Sequence, residues 1–495
     1  FRPTQPTIFF YLRLIAYLAI EVGSYRVVKD LQKILGPDKV DDDELIVRLY
    51  SKDAVYFESS AMAVVFPTST EEVSEVVKYA YKNDIKIYPQ GSASEIVGSS
   101  TPSEDGIVIS FDRMNKIKEI NIVDSYAIVE AGTRMLDLNT MLAAEGYMFP
   151  VDPASVKAVT IGGAICSGAG GMMGAKYGTM KDWVNGLTVV LPDENGTILR
   201  LGGKTTKNRE GYDLTRLIIG SEGTLAIVTE AILRITTQPE SLATVVGFFP
   251  TLEDLLNAVV DIKRSKITPF IMEFVDAKTV DITIKVVGSK VKGEGNYLVV
   301  SVDTTPEATD RVLSKLEEIM RRNNVTTVYK ARTMDEAEMK GFFDIRRNYY
   351  PASIRLAAEG LKDPNYRLYV YVEDISVPPS KAVDAVKRLR ELEKEYGIPM
   401  TLAGHIGDGN LHPVLWFYEY ETEKREKFDD LVMDIMKVAI DLGGVMSSEH
   451  GIGTTKKEGL VKQFEAKNSL KALEIMREIK KIFDPKGLLN PGKVL

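Results

Sequence analysis

The sequence predicts an α+β protein with an antiparallel sheet in its second half, and three observations carry that expectation. After residue 237, strand-like runs at 243–249, 297–303, 366–371 and 415–418 are separated by charged, helix-periodic runs at 252–264, 306–322, 379–395 and 421–440. Residues 404–413 (Gly-His-Ile-Gly-Asp-Gly-Asn-Leu-His-Pro) place Asp-Gly between apolar runs. That is a hairpin signal, because both central residues of a two-residue type I′ turn need φ > 0. The first half instead alternates short strands with small-residue stretches at 91–98 and 160–171. A chain of 495 residues has room for two or more such units.

Residues 8–22 are strongly apolar, interrupted by Arg13 and Glu21. A bilayer span needs roughly 20 apolar residues, and a basic leader and cleavage site are missing. This N-terminal extension, 1–25, is expected to dock on a partner or on a membrane surface. Residues 26–36 read as an amphipathic helix stopped by Gly36 and Pro37. Ser69 with Glu72, or Thr68 with Glu71, has capping-box spacing ahead of a helix from 70. A strand at 85–89 feeds the small-residue stretch 90–98, whose exposed N–H groups suit a phosphate. Strands at 107–110 and 127–132 and a helix at 134–145 follow. Then come Pro150-Val151-Asp152-Pro153 and, within 160–171, five glycines that let backbone approach a large ligand. Ile161, Ile165 and Met172 argue against a flexible linker there. Strands at 186–191 and 197–199 flank a turn, and 212–229 completes the first half. Gly168-Ala169-Gly170 is followed by Met173 where a dinucleotide fingerprint has its third glycine, so a Rossmann nicotinamide site is unsupported. Residues 482–493 form a turn-rich strap.

A net charge of −8 offers nothing to nucleic acid. The one cysteine, Cys166, excludes an intramolecular disulfide and a thiolate-held iron–sulfur cluster within this chain, and fits a reducing, cytoplasmic compartment. There are three histidines. With Asp408 and Gly409 at the turn, His405 opposes His412 and Asn410 joins their face. The third, His450, follows Glu449. Two histidines and a carboxylate form a common catalytic metal set. Glu449 and His450 are adjacent and would face apart on a regular element, so Gly451 is expected to supply a bend.

These residues resemble the flavin-dependent D-2-hydroxyacid dehydrogenases of the vanillyl-alcohol oxidase superfamily. Four motifs agree in order: 89–98, 150–178, 220–229, and the pair 405–413 with 448–453. The resemblance implies a two-subdomain FAD-binding domain of the p-cresol methylhydroxylase type over 26–236. A substrate (cap) domain carrying the metal-binding hairpin follows over 237–440. A C-terminal segment, 441–495, would bring Glu449 and His450 back onto the FAD domain. It further implies FAD around Gly91, Ser92, Ala93, Ser94 and Gly98, and around Gly162, Gly163, Ser167 and Gly170. Pro150, Thr160, Tyr177, Glu222, Gly223, Ile227 and Val228 complete the cofactor contacts. Ala93 and Ser94 stand where tethered relatives carry histidine, and Cys166 lies away from the cysteinyl attachment point, so the FAD is expected to be non-covalent.

By the same resemblance His405, His412 and Glu449 hold a divalent metal (Zn, Mn or Fe), and His450 is the catalytic base. Arg346 and Asn410 bind the substrate, and Arg347 is a surface charge. The expected reaction oxidises a small D-2-hydroxy acid, D-lactate or glycolate, to the 2-oxo acid. Val372 stands where hydroxyglutarate-type relatives carry lysine, which leaves D-2-hydroxyglutarate dehydrogenase as the alternative. A metal-dependent hydrolase would leave the glycine-rich first half without a role. The electron acceptor is expected to be a quinone, an electron-transfer protein or a separate iron–sulfur subunit, in a homo- or hetero-oligomer.

Overall fold

The computed structural model describes residues 24–54 and 59–495. The apolar stretch at 8–22, expected to dock on a partner or membrane, lies outside the described residues. Among the described residues no helix is long and apolar enough to cross a membrane.

The first half holds two sheets. One runs Val40–Asp41, Ala63–Val65, Gly106–Ser110, Lys86–Gln90 in spatial order, with the last three strands parallel. The helix Thr70–Lys82 carries the chain from Ala63–Val65 over to Lys86–Gln90, on the other side of Gly106–Ser110. Ser69 caps that helix by accepting the Glu72 N–H, while the Glu72 carboxylate reaches back to the Thr68 N–H at 2.8 Å and to Lys39. The second sheet is antiparallel, in the order Ile117–Asn121, Tyr126–Glu130, Ile227–Arg234, Val184–Val190, Ile198–Gly202.

Against this second sheet lies the glycine-rich stretch, which forms a short helix, Ile161–Ser167. Thr160 caps its start through the Gly163 N–H, and left-handed Gly168 ends it. Ile161, Ala164 and Ile165 bury one helical face. Gly162 packs so tightly on Ala131 that a Cβ would sit 2.7 Å from the alanine methyl. Part of the glycine enrichment therefore serves helix-on-strand packing.

The second half is the expected α+β unit. Its sheet runs Thr327–Ala331, Ser241–Phe249, Asn296–Thr304, Ile271–Val275, Met400–Gly404, Asn410–Tyr418, Leu368–Val372, antiparallel throughout, with Ile375–Ser376 paired to the start of Asn410–Tyr418. Alternate strand residues feed two cores. Leu252–Arg264, Pro306–Arg322, Ala382–Tyr396 and Thr422–Asp441 cover one face. The other face meets the helix Tyr349–Glu359 together with Met172, Met173 and Tyr177 of the first half. Glu273 and His412 share strand parity with that second core, so they point toward the first half.

The C-terminal strap closes the molecule. The Ile87 N–H donates to the Leu488 carbonyl at 2.9 Å, and the Asn490 N–H donates to the Ile87 carbonyl at 2.8 Å. Asn490 Nδ2 also donates to the Ser99 and Glu222 carbonyls. The Glu222 carboxylate accepts the N–H groups of Ile452 and Gly453 at 2.6 and 2.8 Å. Burial pushes the Glu222 carboxyl from 4.5 up to about 7, although both N–H groups oppose it. The folded state therefore favours the protonated acid. That contribution is complete below pH 4.5 and is lost as pH rises through about 7. The shift corresponds to about 3 kcal/mol. Glu222→Gln cannot ionise, so its Tm relative to the wild type should climb between about pH 5 and about pH 8. A difference in Tm that stays constant with pH would contradict this.

Candidate active site

The hairpin forms, but two residues out of the expected register. Ala403 opposes His412 and Leu402 opposes Pro413. The Asp408 and Asn410 N–H groups both donate to the His405 carbonyl at 3.2 Å, closing a four-residue loop over 406–409. Of those four residues Gly409 alone has positive φ, +91°. Asp408 stays outside the left-handed region, so a type I′ turn at Asp408-Gly409 does not form. Strand faces alternate with period two, so a slip of two leaves every side chain on its face. The two imidazoles still meet, with ring centroids 5.2 Å apart and planes at 89°.

A connected set of groups grows from that pair. His405 Nδ1 lies 2.9 Å from Glu273 Oε1, which leaves Nε2 free to act as a ligand. Arg346 Nε donates to Glu273 Oε2 at 2.7 Å. Glu449 Oε1 lies 3.1 Å from His405 Nε2 and 3.2 Å from His412 Nε2. His450 stacks on His412, with centroids 5.0 Å apart and planes at 17°. His405, His412 and Glu449 thus present three donor atoms to one point, and the donor chemistry suits a divalent cation. His412 Nδ1, His450 Nδ1 and Asn410 Oδ1 are buried without a hydrogen-bond partner among the described residues. Arg347 instead pairs with Glu338 on the surface.

Burial opposes charge on Glu449, but His405 and His412 prevail and hold its carboxyl well below the usual range. For His450 burial wins over the pull of Asp374 and brings the imidazole down to about 4, so it is neutral near pH 7. Asp374 is held below the ordinary carboxylate range despite burial, chiefly by His450, Lys456 and His412. Burial pushes Asp152 up to about 7.

One cavity joins this cluster to the glycine-rich half. Gly91, Ser92, Ala93, Ser94, Thr160, Gly162, Gly163, Ser167, Gly170, Glu222, Gly223 and Val228 line it, together with Arg346, His405, His412, Glu449 and His450. Ala93 has φ +49°, an unusual conformation for a residue with a Cβ, in the loop that forms one wall. Gly170 comes so near the cluster that a Cβ would lie 3.2 Å from Glu449 Oε2. Four expected cofactor residues are not brought to the cavity. Ile227 faces the core while its neighbour Val228 faces the opening. Tyr177 packs on Trp183 and Phe270. Pro150 is buried, and Gly98 turns the chain with φ +74°. Asn410 does not reach the cavity either. Its amide donates to Asp374 Oδ1 at 2.7 Å and to the Ile375 carbonyl at 3.0 Å. Cys166 is in the wall with its thiol pushed up to about 12 by burial, and is chemically quiet.

Sequence reasoning missed Glu273, Asp374, Tyr349 and Tyr350. Glu273 was detectable as the one acid inside Phe270-Ile271-Met272-Glu273-Phe274-Val275, where an interior charge needs a partner. The two tyrosines follow Arg346 within four residues and line the cavity beside it.

Residues 61–202 match a family described as FAD binding domain, and residues 238–494 match one described as FAD linked oxidases, C-terminal domain. The chain is 34% identical over 471 residues to glycolate oxidase subunit GlcD of Bacillus subtilis, covering 94% of this chain and 96% of that protein. It is 36% identical over 437 residues to D-lactate dehydrogenase of Archaeoglobus fulgidus, covering 87% and 91%. The fold is that of p-cresol methylhydroxylase, at a TM-score of 0.74 and 16% identity over 95% of this chain and 96% of that one.

Glu273 serves His405 and Arg346 together, so its charge should matter to both. Glu273→Gln should weaken zinc binding by about 10–100-fold in calorimetry. Unchanged zinc affinity would show that His405 needs no carboxylate partner.

Proposed function

The chain belongs to the FAD-linked oxidase family, and from that membership we propose that it oxidises a small D-2-hydroxy acid, D-lactate or glycolate, to the 2-oxo acid. The observation that carries this reading is the shared cavity. Its glycine-rich end suits a flavin nucleotide, and its other end gathers Arg346, the two hairpin imidazoles, Glu449 and neutral His450. Bound FAD supplies the two-electron acceptor for the Cα hydrogen, and a divalent cation (Zn, Mn or Fe) on His405, His412 and Glu449 would supply a Lewis acid for the hydroxyl.

The protein's own residues do the rest. Arg346 spends Nε on Glu273 and holds Nη2 3.5 Å from His405 Nε2, and the N–H groups left on its Nη atoms bind the substrate carboxylate as a fork. His450, fixed in plane by stacking on His412, takes the hydroxyl proton at Nε2, which lies 3.9 Å from Glu449 Oε1. Among the described residues lining the cavity Arg346 is the one lysine or arginine, and Val372 is part of the wall. One carboxylate can be matched there and a second cannot, which favours a monocarboxylate over 2-hydroxyglutarate. With Cys166 the sole cysteine, electrons leave to a quinone, an electron-transfer protein or a separate iron–sulfur subunit.

Anaerobic mixing with D-lactate or glycolate should bleach the flavin of the purified protein. His450→Ala should retain FAD but reduce it about 10²–10⁴-fold more slowly. Chelation should suppress turnover, and added zinc or manganese should restore it. A flavin bleached equally fast in the His450→Ala protein, or only by dicarboxylic substrates, would overturn the assignment.

A further inference from the structure

Glu449 and His450 are consecutive, yet both side chains enter one cavity. In a regular strand successive side chains point to opposite faces, so something must curl the backbone here. We propose that Asp374 is the positioning residue around which 447–450 is wrapped, and that it ties this turn to the metal-binding hairpin.

Asp374 is fully buried between the strands Leu368–Val372 and Ile375–Ser376. Its Oδ2 accepts the N–H groups of Ser448, Glu449 and His450 at 2.7, 2.9 and 2.9 Å, and Ser447 Oγ lies 3.2 Å away. Three consecutive amides converge on one oxygen only when the backbone curls into a nest. Ser447 closes the curl by donating to the Gly451 carbonyl at 2.7 Å, and Gly451 carries the chain onward at φ +88°.

The other oxygen, Oδ1, accepts Asn410 Nδ2 at 2.7 Å and lies 3.9 Å from His412 Nδ1. Asn410 and His412 stand on the hairpin strand, so a single carboxylate sets the turn and the hairpin against each other. Its own place is braced. Lys456 Nζ donates to the Asp374 carbonyl at 3.2 Å while pairing with Glu373 in a fully buried ion pair. On the other side Ser376 and Val445 exchange backbone hydrogen bonds of 3.0 and 2.9 Å, leading the chain into the turn. Asp374, His412 and His450 are close enough to resemble a second cation site. Its Oδ2 is already taken by three backbone N–H groups, however, so the role of Asp374 is to hold the backbone.

An amide at this position would present one acceptor and two donors where the fold offers only donors. Asp374→Asn in the FAD-loaded protein should therefore loosen the turn. Amide hydrogen exchange of the segment 447–452 should accelerate by about tenfold or more, and zinc affinity should fall by about 10–100-fold. The kinetic consequence rests on the hydroxy-acid reading. In it kcat falls by about 10–100-fold while KM, set by Arg346, changes little.

Unchanged exchange and unchanged zinc affinity overturn the proposal. If no hydroxy acid reduces the wild-type flavin, the functional reading fails, and exchange and zinc affinity alone decide for or against Asp374. Should Asp374→Asn not fold, Ser447→Ala removes one donor and leaves the carboxylate. Faster exchange at 448–450 in that variant supports the wrap, and unaltered exchange overturns it.

Discussion

Two fully buried carboxylates, Glu273 and Asp374, and a third in the cavity wall, Glu449, lie within one small region, and the site is organised by the requirement that each be met. An ion buried without partners costs several kcal/mol even after relaxation, whereas a hydrogen bond to a charged group returns only about 1.5–3 kcal/mol. Each carboxylate therefore needs several donors, and each has a different set. Glu273 has the Arg346 guanidinium and the His405 ring, Asp374 has a turn's backbone and Asn410, and Glu449 has the two hairpin imidazoles. Satisfying the charges fixes the arginine, both hairpin rings and the His450 backbone relative to one another. The polar network specifies the geometry, and the apolar cores on both sheet faces pay for keeping it dry.

That network spans elements far apart in sequence. Glu273 comes from the middle of the second-half sheet, Asp374 from a link between edge strands, and Glu449 from the C-terminal segment. The last of these is anchored in the first half, where Leu488 and Asn490 join the Lys86–Gln90 strand and Glu222 receives the backbone just past His450. His450, the proposed base, is thus delivered between the two halves, in the wall of the glycine-lined cavity. Neither half alone holds a complete site.

Much of this was legible in the sequence where the signal is local. The helices Leu252–Arg264 and Pro306–Arg322 fall where apolar periodicity put them, and Thr251 caps the first as its side chain allows. The histidines announced themselves by scarcity and by their glycine-rich surroundings. What escaped depended on partners distant in the chain. The hairpin register turned on the His405 carbonyl capturing two N–H groups, which holds Asp408 out of the left-handed conformation that its Asp-Gly pattern suggests. Asn410 was placed on the correct face, but Asp374, 36 residues away, claims its amide. Between Ile227 and Val228 the choice of which faces the cavity is a matter of strand parity, invisible without the neighbouring strands. The helix at Ile161–Ser167 was obscured because its glycines serve two ends, packing on Ala131 and opening the cavity wall.

The division of labour among the titratable groups follows from which force wins at each. Burial is the largest influence on both Glu449 and His450, and it acts against charge on both. At Glu449 two imidazoles overcome it, leaving an anion able to coordinate. At His450 the nearby Asp374 and Glu449 pull toward the imidazolium, yet desolvation, helped by the neighbouring His412 and Lys456, prevails. Environments that push neighbouring pKa values apart are what allow the proposed ligand Glu449 and the proposed base His450 to sit side by side in sequence.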